Sequence, residues 1–413
     1  MNRKEIFPKI LLICRDFCFF ARQTKKNLFM NIPAEFDEIR PYNPEELPRV
    51  LDELLADESF RKVVRMVMPD TPIDVLEKVL RRCKTNLDVQ LAIFYNLLHD
   101  LMDKHSNGFT MDTTSLPDKA SRYTFISNHR DIVLDPGLIS VGLIDNKFDN
   151  TVEIAIGDNL LIYPWIKKLV RVNKSFIVLR GLTMRQQLAA AARLSRYIHF
   201  AVTEKHENVW IAQRQGRAKD SDDRTQESLL KMLAIGGEGD AVDRLKELNI
   251  VPISLSYEFD PCDFLKAKEM QQKRDIEGFM KSRQDDLDNM QTGIFGYKGR
   301  VNFKTAPCIN DALEELRGLP KTELFPRVAG LIDREIHRNY QIFPCNYVAL
   351  DLLDGTELHA DHYDETEKQS FIIYLQKKLA LIDLPHRDEN FLLKRMLTMY
   401  ANPLRNHLKA VGE

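Results

Sequence analysis

Residues 123–144, "YTFISNHRDIVLDPGLISVGLI", decide the fold, because they run from a strand pattern through a polar turn into a helix pattern. Apolar runs bounded by polar turns also occur further along the chain: "VEIAIG" at Val152, "SFIVLR" at Ser175, "NVWIAQ" at Asn208 and "IVPISLSYE" at Ile250. Such short runs are typical of buried strands, and helical stretches separate them. The alternation predicts an α/β domain over residues 111–310, with a mixed, largely parallel sheet flanked by helices.

The clearest helical stretch between these strands runs from Met184 to His206. Its apolar side chains recur at helical spacing and share one face: Leu188, Ala191, Leu194 and Ile198. In sheets of this class, ligands bind at the carboxyl ends of the strands. The unusual loops of this sequence fall at those ends.

Helical regions are predicted on both sides of the α/β domain. Residues 31–110 contain two helix starts, "NPEE" with Asn43 as N-cap and "TPID" with Thr71 as N-cap, and a third helix follows Thr85. Residues 311–413 are predicted to be mainly helical, with a possible hairpin in "YQIFPCNYVALDLLDGTE" from Tyr340. No internal repeat is evident.

Residues 1–30 form an uncertain N-terminal extension. Lys9, Arg15 and Asp16 interrupt its apolar residues, whereas a membrane span needs about 20 residues with few charges. Three interpretations stay open: an amphipathic surface anchor, an ordinary first helix, or sequence upstream of a start at Met30. No transmembrane helix is predicted.

Composition describes an ordinary soluble protein of 413 residues with a formal net charge of −2. Because this charge gives no general attraction to nucleic acid or anionic lipid, any such affinity must be local, and we expect no nucleic-acid partner. The six cysteines are scattered and form no CxxC pair, which predicts reduced thiols and argues against a zinc site. "HADHYDETE" from His359 is interpreted as a polar loop, so no metal is predicted.

His129 is the candidate catalytic residue, because it lies on a polar turn after a predicted strand and has carboxylates downstream. A neutral histidine can act as a general base when a carboxylate orients its ring. Asp131 and Asp135 are both candidates for that carboxylate, and we favour Asp135. Since Asp135 precedes Pro136, we expect it to be extended or to cap the next helix. The alternative is that His129 only closes a buried turn.

Two further loops suggest an anion site. Arg180 ends the predicted strand in "VNKSFIVLR", a position suited to gripping a phosphate or carboxylate. Gly216 permits close approach of the backbone to a ligand, and Arg217 and Lys219 next to it favour an anionic one. The strand in "VPISLSYE" contains Pro252, which is expected at a sheet edge or a strand start.

In this order, the stretches around His129, Arg180, Arg217 and Pro252 resemble the four blocks of the glycerophosphate and lysophosphatidate acyltransferase family, over about residues 115–310. "GRVNFKTAP" near Gly299 resembles the strand after those blocks. The resemblance implies transfer of a fatty acyl group from acyl carrier protein or coenzyme A (acyl-ACP or acyl-CoA) to a hydroxyl of glycerol 3-phosphate, lysophosphatidate or a similar acceptor, without a cofactor. His129 would be the base, Asp135 or Asp131 its partner, and the second and third blocks the acceptor site.

Two departures from the family pattern matter. Five residues separate His129 from Asp135, where the family has four and would place the carboxylate at Leu134. Gln215 stands where the family has a glutamate, so the side chain there can still accept a hydrogen bond but carries no negative charge. These departures keep two alternatives open: an acyltransferase for another acceptor such as an amino-lipid, and a catalytically inactive protein that binds lipid or acyl carrier.

The tripeptide His-Arg-Asp also occurs in the catalytic loop of protein kinases. That loop needs an asparagine five residues beyond its aspartate, and here Pro136 occupies the position. A second His-Arg-Asp begins at His386, which shows how common the tripeptide is. A kinase is therefore excluded.

The segment "NLLIYPWIKKLVRVNK" between the first two blocks predicts contact with a membrane. Aromatic and basic side chains of this kind suit the depth of lipid headgroups. The alternative is a partly buried helix with solvated lysines. The predicted location is cytoplasmic, peripheral on the inner face of the cell membrane. The predicted contact residues are Tyr163, Trp165, Lys167, Lys168 and Arg171.

Overall fold

The computed structural model describes residues 32–412, so the interpretations of residues 1–30 concern a segment outside them. Seven strands of this part of the chain form one sheet in the order β1-β7-β6-β2-β5-β3-β4. Only the β6–β7 pair is antiparallel, which confirms the mixed, largely parallel sheet. The strands are β1 (Phe109–Asp112), β2 (Thr124–Ser127), β3 (Val152–Gly157), β4 (Ser175–Val178), β5 (Asn208–Ala212), β6 (Ile250–Tyr257) and β7 (Val301–Thr305).

All five quoted apolar runs form strands, and "GRVNFKTAP" contains β7. Strand β1 was not predicted, because it has only four residues and no fully buried side chain. Pro252 is not at a sheet edge, because β6 lies inside the sheet between β2 and β7, but it is near the strand start as the third residue of β6. Pro252 is tolerated because pairing with β7 begins one residue later, at Ile253, so its missing N–H falls outside that ladder.

Between residues 43 and 107, the structure has four helical segments rather than three. They are α1 (Leu47–Ala56), α2 (Glu58–Val67), α3 (Ile73–Leu80) and a continuous segment made of α4 (Asn86–Val89), a π-helical turn (Gln90–Phe94) and α5 (Tyr95–His105). Asp57 separates α1 from α2, because its carboxylate accepts the N–H groups of Ser59 and Phe60 and caps a new helix.

The predicted helix starts are shifted in two cases. Asn43 does not cap α1 through its side chain; its N–H donates to Glu46 Oε2 at 2.7 Å, and a turn precedes the helix. Helix α3 begins after Pro72, one residue later than the start predicted from Thr71. Thr85 forms the capping box of α4 with Asp88, so this helix begins where the sequence predicts it.

The remaining helices lie between the strands and after β7. They are α6 (Leu134–Asp145), α7 (Pro164–Val172), α8 (Met184–Thr203), α9 (Glu227–Leu233), α10 (Ala241–Glu247), α11 (Asp263–Asp275), α12 (Arg283–Phe295), α13 (Asn310–Glu314), α14 (Lys321–Arg338), α15 (Pro344–Asp354), α16 (Glu365–Ala380) and α17 (Glu389–Val411).

The hairpin predicted near Tyr340 is wrong, because α15 occupies most of that stretch. Pro344 starts the helix with a preset φ, and the Asn346 side chain accepts the N–H of Phe343 at 2.8 Å. Gly355 ends it in the left-handed conformation, at φ 67°. The glycine that suggested a hairpin turn is a helix C-cap.

Both faces of the sheet are buried. Phe125 and Ile126, neighbours on β2, belong to different clusters of buried side chains, because successive strand residues point to opposite faces. Helix α6 packs against one face through Leu138, and α14 packs against the other through Val328 and Ile332. The core therefore holds β2 rigidly, and the loop after β2 extends from a fixed strand.

The predicted apolar face of α8 contributes to the core only in its second half. Leu194 and Ile198 are buried, whereas Leu188 is 68% exposed and Met184 is 80% exposed. The first half of the helix borders a large cleft instead. The prediction of a helix from Met184 is thus correct, but the first half of its apolar face points away from the core.

Candidate active site

The loop after β2 is fixed to β6 by one side chain. Asn128 Nδ2 donates to the Leu255 carbonyl at 2.9 Å, and the Leu255 N–H donates to Asn128 Oδ1 at 2.8 Å. The residue that precedes His129 therefore completes the sheet's hydrogen bonding where the strand itself has ended. His129 is held at the carboxyl end of a central strand and borders the cleft.

His129 and Asp135 are in direct contact. His129 Nδ1 lies 2.8 Å from Asp135 Oδ2, and the carboxylate is fully buried. Asp135 Oδ2 also accepts the backbone N–H groups of Arg130 at 2.7 Å and Asp131 at 3.0 Å, while Oδ1 accepts the Tyr257 hydroxyl at 2.9 Å. A buried carboxylate with this many donors is held in one orientation and fixes the ring that it faces.

Asp135 lies in the first turn of α6, which corrects the expectation that it would be extended or act as the cap. Asp131 caps this helix start instead: its Oδ1 accepts the N–H groups of Val133 at 2.8 Å and Leu134 at 2.7 Å. Burial raises the pKa of the Asp131 carboxyl, and the charge of Asp135 raises it further. The turn before Leu134 accommodates the extra residue between His129 and Asp135.

The second nitrogen of the His129 ring faces a different environment. Across the described residues, no hydrogen bond to Nε2 is present, and the side chain keeps 13% exposure. The Trp210 ring meets the imidazole edge-on, with 5.6 Å between centroids, and is itself fixed by a 2.9 Å bond from its Nε1 to Ser127 Oγ. With its proton on Nδ1, the ring has a lone pair on Nε2 for a proton transfer.

The cleft beside His129 has a volume of about 810 Å³. It opens at the carboxyl ends of β3, β4 and β5, with Gly157, Val178 and Ala212 in its wall. This is where ligands bind in sheets of this class. Apolar side chains such as Ile156 and Leu160 line the wall together with basic ones, so the cleft suits a molecule with both an apolar and an anionic part.

Arg180, Arg214 and Arg217 line this cleft. Each has one buried guanidinium nitrogen that no described residue satisfies: Nε of Arg180, Nε of Arg214 and Nη1 of Arg217. Buried donors without an acceptor are costly, and an anion in the cleft would satisfy them. Burial lowers the pKa of Arg180, against the opposing effect of Asp158.

The loop that follows β5 contains the other predicted anion-binding residues. Gly216 has φ 69°, a conformation that glycine adopts without strain. Gln215 is exposed at the cleft and donates its N–H to the Gln226 side chain at 2.8 Å. Arg217 Nη2 donates to Asn289 Oδ1 at 3.1 Å. Lys219 pairs with Glu269 on α11.

The predicted membrane segment packs mostly on the N-terminal helices. Trp165 on α7 meets the Phe60 ring with 6.0 Å between centroids, and Lys168 pairs with Glu53 at 2.8 Å. Arg171 is only 8% exposed and donates to the carbonyls of Arg40 and Asp37, so it cannot reach a lipid headgroup. The remaining two predicted contact residues, Tyr163 and Lys167, are exposed.

Two residues that hold the loop of His129 in place were not predicted from the sequence. Tyr257, at the end of β6, donates to Asp135 across 122 positions of sequence. Arg130 forms a bidentate pair with buried Asp223, at 3.0 and 2.6 Å, which ties the loop to the segment after β5. A hydroxyl at the carboxyl end of a central strand was the only available signal for Tyr257.

No family profile and no curated protein sequence matches the chain. Among solved structures, the chain is similar to the 1-acyl-sn-glycerophosphate (LPA) acyltransferase PlsC from Thermotoga maritima, at 11% identity and a TM-score of 0.32. The match covers 69% of this chain and 98% of that one. Within residues 32–412, no helix has both the length and the apolar character needed to cross a bilayer, and no group of three potential metal ligands comes together.

Proposed function

We propose that the chain is an acyltransferase that moves a fatty acyl group from a thioester of acyl carrier protein or coenzyme A to a hydroxyl of glycerol 3-phosphate, lysophosphatidate or a similar polar lipid. One observation carries the proposal: His129 lies 2.8 Å from a buried, fully hydrogen-bonded Asp135, beside a cleft lined by basic side chains. This arrangement supports general base catalysis near an anionic substrate.

The reaction needs one proton acceptor. His129 Nε2 removes the proton of the acceptor hydroxyl as its oxygen attacks the thioester carbonyl, and Asp135 stabilises the imidazolium that forms. The tetrahedral intermediate then collapses, the carbon–sulfur bond breaks, and the imidazolium returns its proton to the thiolate. The products are an ester and a free thiol, and His129 is neutral again.

The three arginines of the cleft favour an acceptor with a phosphate. Their unsatisfied nitrogens on Arg180, Arg214 and Arg217 offer donors to a group with several anionic oxygens. Gln215 in the same wall provides an amide without a charge, which keeps acceptors other than glycerol phosphates within the proposal. The acceptor hydroxyl would then lie between the anion site and His129.

A lipid acceptor has to be reached at a membrane surface. The exposed apolar side chains of Met184 and Leu188 lie on the half of α8 that borders the cleft, and Arg185 between them is exposed as well. An apolar pair beside a cation suits an anionic lipid surface. We therefore place the proposed peripheral contact at this end of α8 rather than at α7.

Product identity tests the proposed function. The purified chain is incubated with a radiolabelled acyl thioester, liposomes and one acceptor at a time: glycerol 3-phosphate, lysophosphatidate or an amino-lipid. Label in lysophosphatidate or phosphatidate supports the favoured acceptors, and label in the amino-lipid supports the alternative acceptor. Binding of donor and liposomes without label in any product would overturn the acyltransferase proposal in favour of an inactive binding protein.

A further inference from the structure

Three lysines surround one carboxylate in the cleft wall. Lys219, from the loop after β5, contacts Glu269 on α11, while Lys273 and Lys281 reach the same carboxylate at 2.9 Å each. All three lysines line the cleft that contains His129. Glu269 is only 6% exposed, so the lysines enclose it on the side that faces the cleft.

The charges of this lysine cluster do not cancel. Hydrogen bonds from the lysines outweigh burial and lower the pKa of Glu269 to about 2, so it carries one negative charge at neutral pH. Asp286 lies 3.8 Å from Lys281 and supplies the only other negative charge within ion-pair distance of the three lysines in the described part of the chain. An excess of positive charge therefore remains, and the three ammonium groups together have more N–H donors than the one carboxylate of Glu269 can accept.

We propose that Lys219, Lys273 and Lys281 bind the nucleotide phosphates of a coenzyme A thioester, and that coenzyme A is therefore the carrier of the acyl donor. This inference rests on the proposed function and identifies its second substrate. In such a donor, the flexible pantetheine arm separates the thioester from the phosphates. A phosphate site in the same cleft as His129 has the arrangement that this donor requires.

Recessed charges favour a small polyanion over an acidic protein. Two of the three lysines, Lys219 and Lys281, are only 27% and 22% exposed and form the wall of a cleft, whereas Lys273 at its rim is 51% exposed. The phosphates of a nucleotide can enter such a cleft and meet the lysines directly. The acidic helix of a carrier protein would need basic side chains that extend into solvent.

The test removes the excess charge and keeps Glu269 paired. In the double variant Lys273→Gln/Lys281→Gln, Lys219 still neutralises Glu269, so the chain should fold. Lys377→Gln, at an exposed position on α16, is the matched control. We expect the double variant to bind coenzyme A about 100-fold more weakly than the wild type by calorimetry, since two charged contacts are lost. The control should bind normally.

Transfer assays with two other acyl donors distinguish a failure of this inference from a failure of the proposed function. Transfer from an acyl-N-acetylcysteamine thioester, which lacks phosphates, should be equal in the wild type and the double variant. Equal affinity of both proteins for coenzyme A would overturn the phosphate site. Wild-type transfer from acyl carrier protein without binding of coenzyme A would also overturn it, while the acyltransferase function would stand. Lysine-dependent binding of coenzyme A without transfer from any donor would support the site and overturn the function.

Discussion

Tyr257 is the residue whose replacement tests the catalytic geometry most specifically. Its hydroxyl is one of four donors to Asp135, beside His129 Nδ1 and the N–H groups of Arg130 and Asp131. A hydrogen bond to a charged acceptor contributes about 2 kcal/mol. If half of that is lost from the transition state, kcat of Tyr257→Phe should fall about fivefold, because each 1.36 kcal/mol corresponds to a tenfold change in rate.

The assay measures kcat and the KM of each substrate with the other substrate saturating, together with the free energy of unfolding by chemical denaturation. KM for both substrates should be unchanged, because Tyr257 orients Asp135 and is not proposed to touch substrate. Tyr297→Phe, at a tyrosine that is 47% exposed, is the control and should behave as wild type. In an Asp135→Asn background, Tyr257→Phe should lower kcat little further, because the two residues act through one contact. An unchanged kcat in folded Tyr257→Phe, or an effect confined to KM, would refute the reasoning.

Three further predictions concern the loop and the lysine cluster. Gly293→Ala should lower kcat, because a Cβ there would lie 2.0 Å from Asp131 Oδ2 and displace the catalytic loop; unaltered kinetics would contradict this. Asp223→Asn should destabilise the fold by about 3 kcal/mol in denaturation experiments, because it leaves the Arg130 guanidinium buried without its charge partner. Burial, together with repulsion from neighbouring lysines, lowers the pKa of Lys219 to about 8 from 10.5, despite the opposing effect of Glu269. Affinity for coenzyme A should therefore fall as pH rises through about 8, since the protonated form binds, and this step should be absent in Lys219→Arg; an identical pH profile would count against the site.

The lowered pKa of Lys219 also makes the stability of the folded chain depend on pH. Because the folded state holds Lys219 at about 8, below its unfolded value, the unfolded chain binds more protons between about pH 8 and pH 10.5. This group therefore opposes folding below pH 8, and its unfavourable effect is relieved as pH rises toward 10.5. A bound phosphate would offset that cost at neutral pH.

The sheet could be predicted because its signal is local. Each of the five predicted strands is a short, mostly apolar run that is buried on both faces over at least half of its length, and such a run can be recognised without knowledge of its neighbours. The start of α1 was harder to predict, because Glu46 takes the N–H of Asn43 and postpones the helix by a turn. The hairpin prediction failed at Gly355, since a glycine with positive φ serves a helix end as well as a tight turn.

The candidate site was only partly predictable, for a different reason. His129 and Asp135 are six positions apart, so their contact could be anticipated from the turn between them. Tyr257 and Glu269 act on residues far away in sequence, and nothing local marks a hydroxyl or a carboxylate for such a contact. Arg171 looked like a surface cation because sequence alone does not reveal that the segment of residues 37–42 covers it.

The rate of acyl transfer by His129→Ala tests the central claim most directly. The second His-Arg-Asp offers a control: His386 is exposed and has φ 57°, which asparagine tolerates, so His386→Asn should keep full activity. With folding of both variants verified by denaturation, we predict that His129→Ala transfers acyl groups about 10² to 10⁴ times more slowly than the wild type. A His129→Ala protein that turns over at the wild-type rate would contradict the account.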